Sequence, residues 1–129
     1  MAKILLVEDE DALRILLQEI LAMENHQVTA ASNGSEALFL AKRESFDLII
    51  TDLIMPEKDG IETIMDFRCL LPHAKIIAMS GGGFGVGRNY LPLAQKLGAQ
   101  KTLMKPFDLQ TLREAIDETM AVSMGSRGF

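Results

Sequence analysis

A chain of 129 residues has room for one domain with a hydrophobic core, and not for two. Hydrophobic residues make up 48% of it, too many for a disordered chain, yet no apolar run is long enough to span a membrane. The formal net charge of -5 argues against direct nucleic-acid binding, because phosphate backbones require a basic surface. Cys69 is the single cysteine, so no internal disulfide can form and a cytoplasmic location is expected.

Short apolar segments alternate with amphipathic segments along the chain, a pattern typical of a parallel sheet covered by helices. The five predicted strands are Lys3–Val7, Gln27–Ala31, Asp47–Thr51, Lys75–Met79 and Lys101–Met104. Helices are predicted at Asp11–Glu24, after Ser32–Gly34, between Gly60 and Pro72, at Tyr90–Leu97, and from Asp108 to about Val122. Five βα units predict a doubly wound, flavodoxin-like α/β fold with parallel strands in the order 2-1-3-4-5.

Hydrophobic periodicity predicts the apolar faces of two of these helices. Ile15 lies off the apolar stripe of the first helix, and Gly98 is placed to end the fourth helix in the left-handed conformation. The apolar stripe of the first helix comprises Leu13, Leu16, Leu17, Ile20 and Leu21, and the third helix is expected to direct Ile61, Ile64, Met65 and Leu71 inward.

Polar residues stand where four of the predicted strands end. Glu8 and Asp9 follow the first strand, Asp52 the third, Ser80 the fourth and Lys105 the fifth. Ligands bind beyond the carboxyl ends of parallel strands, so these groups predict a cation site beside a phosphoryl acceptor. Neighbouring carboxylates repel each other unless a cation is present, and Mg²⁺ prefers such oxygen ligands. Taken alone, the acids after the first strand are better explained as caps of the next helix, and only together with Asp52 do they favour a cation site.

The order and spacing of these residues resemble the receiver domain of two-component response regulators over nearly the whole chain. The other matching segments are Met55–Pro56, Asp59–Gly60, Gly98–Ala99 and Lys105–Pro106–Phe107. The resemblance implies that Asp52 accepts a phosphoryl group. It also implies that Asp9, Asp52 and the backbone carbonyl of Ile54 bind Mg²⁺ directly, with Glu8 acting through water. Mn²⁺ or Ca²⁺ could substitute in such a site.

The resemblance further implies that Ser80 and Lys105 contact the phosphoryl oxygens, with a cis bond between Lys105 and Pro106. Thr102 stands where most receivers carry an aromatic switch residue, so the usual switch is in doubt. We hypothesise instead that phosphorylation orders the glycine-rich segment Gly81–Gly87.

Partners are implied by the same resemblance. A histidine kinase or histidine phosphotransfer protein would dock around the first helix and the loop after the fifth strand, at Leu13, Ile15, Leu16 and Phe107. A receiver alone is about this long, so residues 1–122 are expected to form the domain, residues 123–129 a tail, and no output domain to be present. The expectation is a single-domain regulator, monomeric or weakly dimeric, without nucleic-acid or membrane partners. It would signal by partner binding or phosphorelay and catalyse only its own phosphorylation and dephosphorylation.

Two alternative functions remain open from the sequence. A phosphorylation-independent interaction module would be expected to have lost part of the polar site, whereas its five side chains are all present. A flavin carrier or an aspartate-dependent phosphatase fits poorly. The acidic turn Glu8–Asp11 would repel a flavin phosphate, and Ile54 stands where the phosphatase needs a second acid.

Overall fold

The computed structural model describes residues 2–53, 60–81, 95, 96 and 98–121, which contain five strands and four helices. Ile54, most of the glycine-rich segment and the tail lie outside the described residues, as does the predicted fourth helix apart from the helical Gln95 and Lys96. The strands are β1 Lys3–Val7, β2 Gln27–Ala31, β3 Leu48–Asp52, β4 Lys75–Gly81 and β5 Lys101–Lys105. The helices are α1 Asp11–Met23, α2 Gly34–Arg43, α3 Gly60–Leu70 and α4 Leu109–Ala121.

All five strands are parallel and lie in the predicted order β2-β1-β3-β4-β5. Val7 pairs with Thr51 across β1 and β3, and Asp52 pairs with Met79 across β3 and β4. This register brings the carboxyl ends of the three central strands to one edge of the sheet. The predicted doubly wound α/β fold is confirmed.

The hydrophobic core forms two layers because alternate strand residues point to opposite faces of the sheet. In β1, Leu5 and Val7 face α2 and α3, whereas Ile4 and Leu6 face α1 and α4. Phe67 of α3 is fully buried in the first layer, a role that the sequence pattern did not single out. Burying each large aliphatic or aromatic side chain stabilises the fold by about 1.5–3 kcal/mol.

Three sequence predictions about these elements need correction. Met65 was expected to point inward but is half-exposed, and Leu16 is half-exposed although it shares a stripe with the buried Leu17 and Leu21. Strand β4 continues beyond Met79 to Gly81, so its pairing with β5 includes Ser80. The backbone ladder extends past the last apolar side chain, because hydrogen bonding between strands does not depend on side-chain polarity.

Local signals fix the ends of several elements as the sequence predicts. The Asn33 side chain accepts a hydrogen bond from the backbone N–H of Glu36 at 2.8 Å and begins α2. Asp108 accepts from Thr111 N–H at 2.7 Å and begins α4. Gly98 has a φ of +128°, the positive backbone angle expected at that position. Among the described helices, none combines the length and apolarity that crossing a membrane requires.

Candidate metal centre

Three carboxylates meet at the carboxyl end of the sheet. Glu8 and Asp9 follow β1 and Asp52 ends β3, and one carboxylate oxygen from each lies within 4.8 Å of the others. Glu8 is 1% and Asp52 4% exposed, whereas Asp9 is the most accessible of the three. The structure therefore brings together the acids that the sequence placed at two strand ends.

Lys105 connects two of these acids. Its Nζ donates to Glu8 Oε1 at 2.6 Å and to Asp52 Oδ2 at 2.8 Å, and the bond from Lys105 to Pro106 is cis, as the resemblance implied. Burial alone would lower the pKa of Lys105, but its hydrogen bonds to Asp52 and Glu8 raise that pKa above the usual value. The ammonium is therefore charged at neutral pH.

Glu8 is held through each of its polar groups. Its backbone N–H donates to Ala31 O at 3.0 Å, and its carbonyl accepts from Arg14 Nη1 at 3.1 Å. Its second carboxylate oxygen, Oε2, accepts from the backbone N–H of Glu10 at 3.1 Å. Burial raises the pKa of Glu8 to about 7, and the nearby Asp52 carboxylate adds to this effect against the opposing hydrogen bond from Lys105.

Ser80 and Thr102 lie on neighbouring strands, two register positions apart, with Thr102 near the start of β5 and Ser80 near the end of β4. Ser80 is fully buried in β4, and its Oγ has no hydrogen-bond partner among the described residues. Thr102 is half-buried in β5, where it pairs with Ala78. A buried hydroxyl without a partner is costly, so an acceptor arriving near Ser80 would be stabilised. Ile54, predicted to offer its carbonyl, lies outside the described residues.

A groove of about 480 Å³ opens beside the metal centre, between α1 and the segment that joins β5 to α4. Three of the four predicted docking residues, Leu13, Leu16 and Phe107, line it. Ile15 is exposed but lies outside this groove, on the other side of α1, because successive helical residues are rotated by about 100°. Most residues that line the groove are apolar, and its charged residues are Glu10, Lys105 and Asp108.

Arg14 is a contact of the site that the sequence analysis missed. It lies in the first turns of α1, where its Nη2 donates to Asp11 Oδ1 at 2.7 Å while Nη1 reaches the Glu8 carbonyl. A lone basic residue close to a run of four acids was the only signal available in the sequence. The partner of a long side chain depends on tertiary structure, so this signal could not predict the hydrogen bond to the Glu8 carbonyl.

The chemistry of this donor set suits a hard divalent cation. Mg²⁺ prefers a small number of carboxylate oxygens and retains several waters, which the accessible position of Asp9 would permit. The buried acids beside a charged Lys105 also form an environment in which added negative charge would be neutralised. The arrangement thus fits binding of Mg²⁺ together with a phosphoryl group.

A family model for the response regulator receiver domain matches residues 4–117. The match covers most of the chain, so the protein belongs to this family. Receiver domains are the phosphoacceptor modules of two-component signalling. They bind Mg²⁺ at an acidic pocket, and their partners are histidine kinases or phosphotransfer proteins.

Individual relatives agree with this assignment. The chain is 33% identical to sporulation initiation phosphotransferase F of Bacillus subtilis, over 88% of this chain and 90% of that protein. It is also 33% identical to the B. subtilis chemotaxis protein CheY, over 92% and 97% of the two chains. The response regulator TrrA of Thermotoga maritima, solved with Mg²⁺ and BeF, has a TM-score of 0.81 and 32% identity, over 92% and 99%. Other relatives are longer, and this chain spans as little as 24% of their length.

Proposed function

We propose that this chain is a response regulator that accepts a phosphoryl group on Asp52 from a histidine kinase or a histidine phosphotransfer protein. The observation that carries the proposal is the placement of Asp52 at the end of β3, 2.8 Å from the Lys105 ammonium and within 4.8 Å of two further carboxylates. An aspartate used only to cap a helix would not need a partly buried ammonium and two acids beside it.

In the proposed reaction, an Asp52 carboxylate oxygen forms a bond to phosphorus while the phosphorus–nitrogen bond of a phosphohistidine breaks. The histidine nitrogen keeps the electron pair of the broken bond. Such transfers depend mainly on positioning and charge neutralisation. Lys105 would neutralise charge on the transferred group, and the unpartnered Ser80 hydroxyl would donate a hydrogen bond to it.

Asp9, Asp52 and the backbone carbonyl of Ile54 would hold Mg²⁺, with Glu8 acting through water. When bound, this ion supplies positive charge that offsets the carboxylates and the incoming phosphoryl group. The oxygen chemistry and close spacing of the three acids support this assignment. The Mg²⁺–BeF complex of the similar TrrA receiver supports it by analogy.

The proposed regulator works as a single domain formed by residues 1–122, with residues 123–129 as a tail. Support comes from the two B. subtilis relatives, which this chain matches over 90% and 97% of their own lengths. It would signal by phosphorylation-dependent partner binding or by phosphorelay. Leu13, Leu16 and Phe107 would contact the phosphodonor, because the groove they line adjoins Lys105 and Pro106.

Intact-mass measurement after incubation with acetyl phosphate and Mg²⁺ tests whether Asp52 accepts the phosphoryl group. We expect one added phosphoryl group on the wild type, none without Mg²⁺, and none on Asp52→Asn. Asp117→Asn, which changes an exposed aspartate of α4 in the same way, should be labelled like the wild type. No adduct on the wild type, together with no response to beryllofluoride, would instead favour a phosphorylation-independent interaction module.

A further inference from the structure

We propose that Arg14 is a positioning residue for the cation site, acting by fixing the peptide that joins Glu8 to Asp9. The inference rests on the proposed Mg²⁺ site and adds to it a residue that binds no metal itself. Its basis is the hydrogen bond from Arg14 Nη1 to the Glu8 carbonyl at 3.1 Å, combined with the ion pair to Asp11 at 2.7 Å.

The Arg14 side chain is folded back over the loop rather than extended into water. It is only 19% exposed although its ion-pair partner Asp11 is 82% exposed. A surface ion pair of this kind contributes little to stability by itself. The fork of the guanidinium, however, lets one nitrogen hold the exposed carboxylate while another holds the backbone carbonyl of Glu8.

The carbonyl is the group of Glu8 whose orientation matters most for Asp9. The peptide bond is planar, so the direction of the Glu8 carbonyl also sets the direction of the Asp9 backbone N–H. Ala31, Glu10 and Lys105 hold the other polar groups of Glu8, leaving Arg14 as the described donor to its carbonyl.

Asp9 depends on this backbone placement more than its neighbours do. Lys105 binds the carboxylates of Glu8 and Asp52 directly. In the described parts of the chain, no hydrogen bond or ion pair holds the carboxylate of Asp9, which is also the most accessible of the three. Its position near Asp52 therefore follows from the conformation of the loop that Arg14 restrains.

The charge of Arg14 and its contact with the Glu8 carbonyl predict opposite changes in Mg²⁺ affinity when Arg14 is removed. Deleting a positive charge that contacts the Glu8 backbone would remove repulsion of a bound cation and would strengthen cation binding if electrostatics were the only influence. Loss of the carbonyl contact would loosen the loop and weaken binding. Mutating a group that orients metal ligands typically weakens metal affinity 10–100-fold. For an indirect backbone contact we expect the lower end of this range, a loss of about tenfold.

Isothermal titration calorimetry with Mg²⁺ on the metal-free protein tests the proposal. We expect Arg14→Met to raise the Kd by about tenfold. Arg113→Met is the matched control, since it removes an arginine that pairs with Glu24 at the far end of the α1–α4 interface, and its Kd should equal that of the wild type. A Kd for Arg14→Met that is unchanged or lower than that of the wild type overturns the proposal.

Arg14→Lys keeps the charge and guards against a failure of Arg14→Met to fold. A single ammonium cannot hold the carbonyl and the carboxylate in the same fork, so we expect a smaller but measurable loss of Mg²⁺ affinity. Equal affinity of Arg14→Lys and wild type would contradict the positioning role. A wild type that binds no Mg²⁺ would overturn the proposed metal site as well, which separates that failure from a failure of the Arg14 inference alone.

Arg14→Met should also raise the Mg²⁺ concentration that gives half-maximal labelling by acetyl phosphate. The final extent of labelling at saturating Mg²⁺ should match that of the wild type, because Asp52 itself is unaltered. A reduced extent of labelling at saturating Mg²⁺ would show that Arg14 acts on Asp52 rather than on the peptide that joins Glu8 to Asp9. That result would contradict the proposal.

Discussion

The Ser80 hydroxyl is a buried polar group whose partner we expect to be a phosphoryl oxygen. Leaving a hydroxyl buried without a partner costs about 1–3 kcal/mol. Ser80→Ala should therefore leave the free energy of unfolding unchanged, or raise it by up to about 1 kcal/mol, in the absence of phosphoryl analogues. The same variant should lose most of the thermal stabilisation that beryllofluoride and Mg²⁺ give the wild type. Urea denaturation and thermal unfolding, with and without the analogue, measure the two effects.

Thr119 provides a matched control for Ser80. Its Oγ1 in α4 is also buried without a partner among the described residues. Thr119→Val should resemble Ser80→Ala in its small effect on unfolding but retain the full response to beryllofluoride. An equal loss of the response in both variants would mean that Ser80 acts through packing rather than by bonding the phosphoryl group.

The end of α3 is connected to both β4 and β5 through one side chain. Arg68 Nη1 donates to Pro72 O and Ala74 O, each at 2.9 Å, and Nη2 donates to Gly98 O at 2.8 Å. These carbonyls lie in the segments that lead into the two strands. A β-carbon added at Gly98 would lie 2.7 Å from Arg68 Nε, in a backbone conformation that side chains rarely adopt.

Gly98→Ala should therefore destabilise the protein through backbone strain and through displacement of Arg68. We expect a loss of about 1–3 kcal/mol, measured by urea denaturation. The same substitution in an Arg68→Ala background separates the two causes, since the steric conflict is then absent. A smaller cost of Gly98→Ala in that background supports the arginine contact, whereas an equal cost would assign the whole effect to the backbone.

The strands were the most predictable elements because each is a short apolar run that ends at a polar residue. Asp52 and Lys105 lie within one residue of their predicted strand ends, and this was enough to place both in the site. The faces of helices were less predictable. Leu16 and Met65 belong to apolar patterns, yet nothing among the described residues covers them fully. Periodicity indicates which side chains share a face, but coverage of that face depends on neighbouring elements that local sequence does not specify.

The site was predictable from its acids, while the contacts that orient them were not. Parallel strands bring their carboxyl ends together, so the fold itself implied that Glu8 and Asp52 lie close. The contact between Arg14 and the Glu8 carbonyl depends on one rotamer of a long side chain, which no local pattern encodes. Similarly, Ile15 was grouped with Leu13 and Leu16 because it lies off the apolar stripe of the first helix, around which receivers dock their partners, but only the latter two line the groove.

Across the whole molecule, α1 joins the metal centre to the groove. It begins directly after the acidic residues Glu8, Asp9 and Glu10. It ends next to Glu24, which forms two hydrogen bonds with Arg113 of α4, at 3.1 and 2.8 Å. Lys105 has a similar double role, since it contacts Glu8 and Asp52 and also lines the groove. A phosphodonor seated in the groove, as proposed above, would therefore contact Lys105, whose ammonium lies 2.8 Å from the Asp52 carboxylate.

The raised pKa of Glu8 predicts how the stability of the metal-free protein depends on pH. Burial shifts this pKa from 4.5 to about 7, so between these values the folded protein retains a proton that the unfolded chain releases. Stability must then fall as pH rises through this window, with a slope of at most about 1.4 kcal/mol per pH unit from this group. The contribution is fully present below pH 4.5 and is lost above about 7.

Glu8→Gln isolates this contribution because glutamine does not titrate. Urea denaturation at intervals from pH 5 to pH 8 should show the wild type losing stability relative to Glu8→Gln as pH rises. His26, whose pKa is lowered by burial, is present in both proteins, so its effect cancels from the comparison. Saturating Mg²⁺ should flatten the difference, since a cation stabilises the ionised carboxylates. Parallel stability curves for the two metal-free proteins would mean that Glu8 is already ionised at pH 5. The hydrogen bond from Lys105 would then lower the pKa of Glu8 by more than burial raises it.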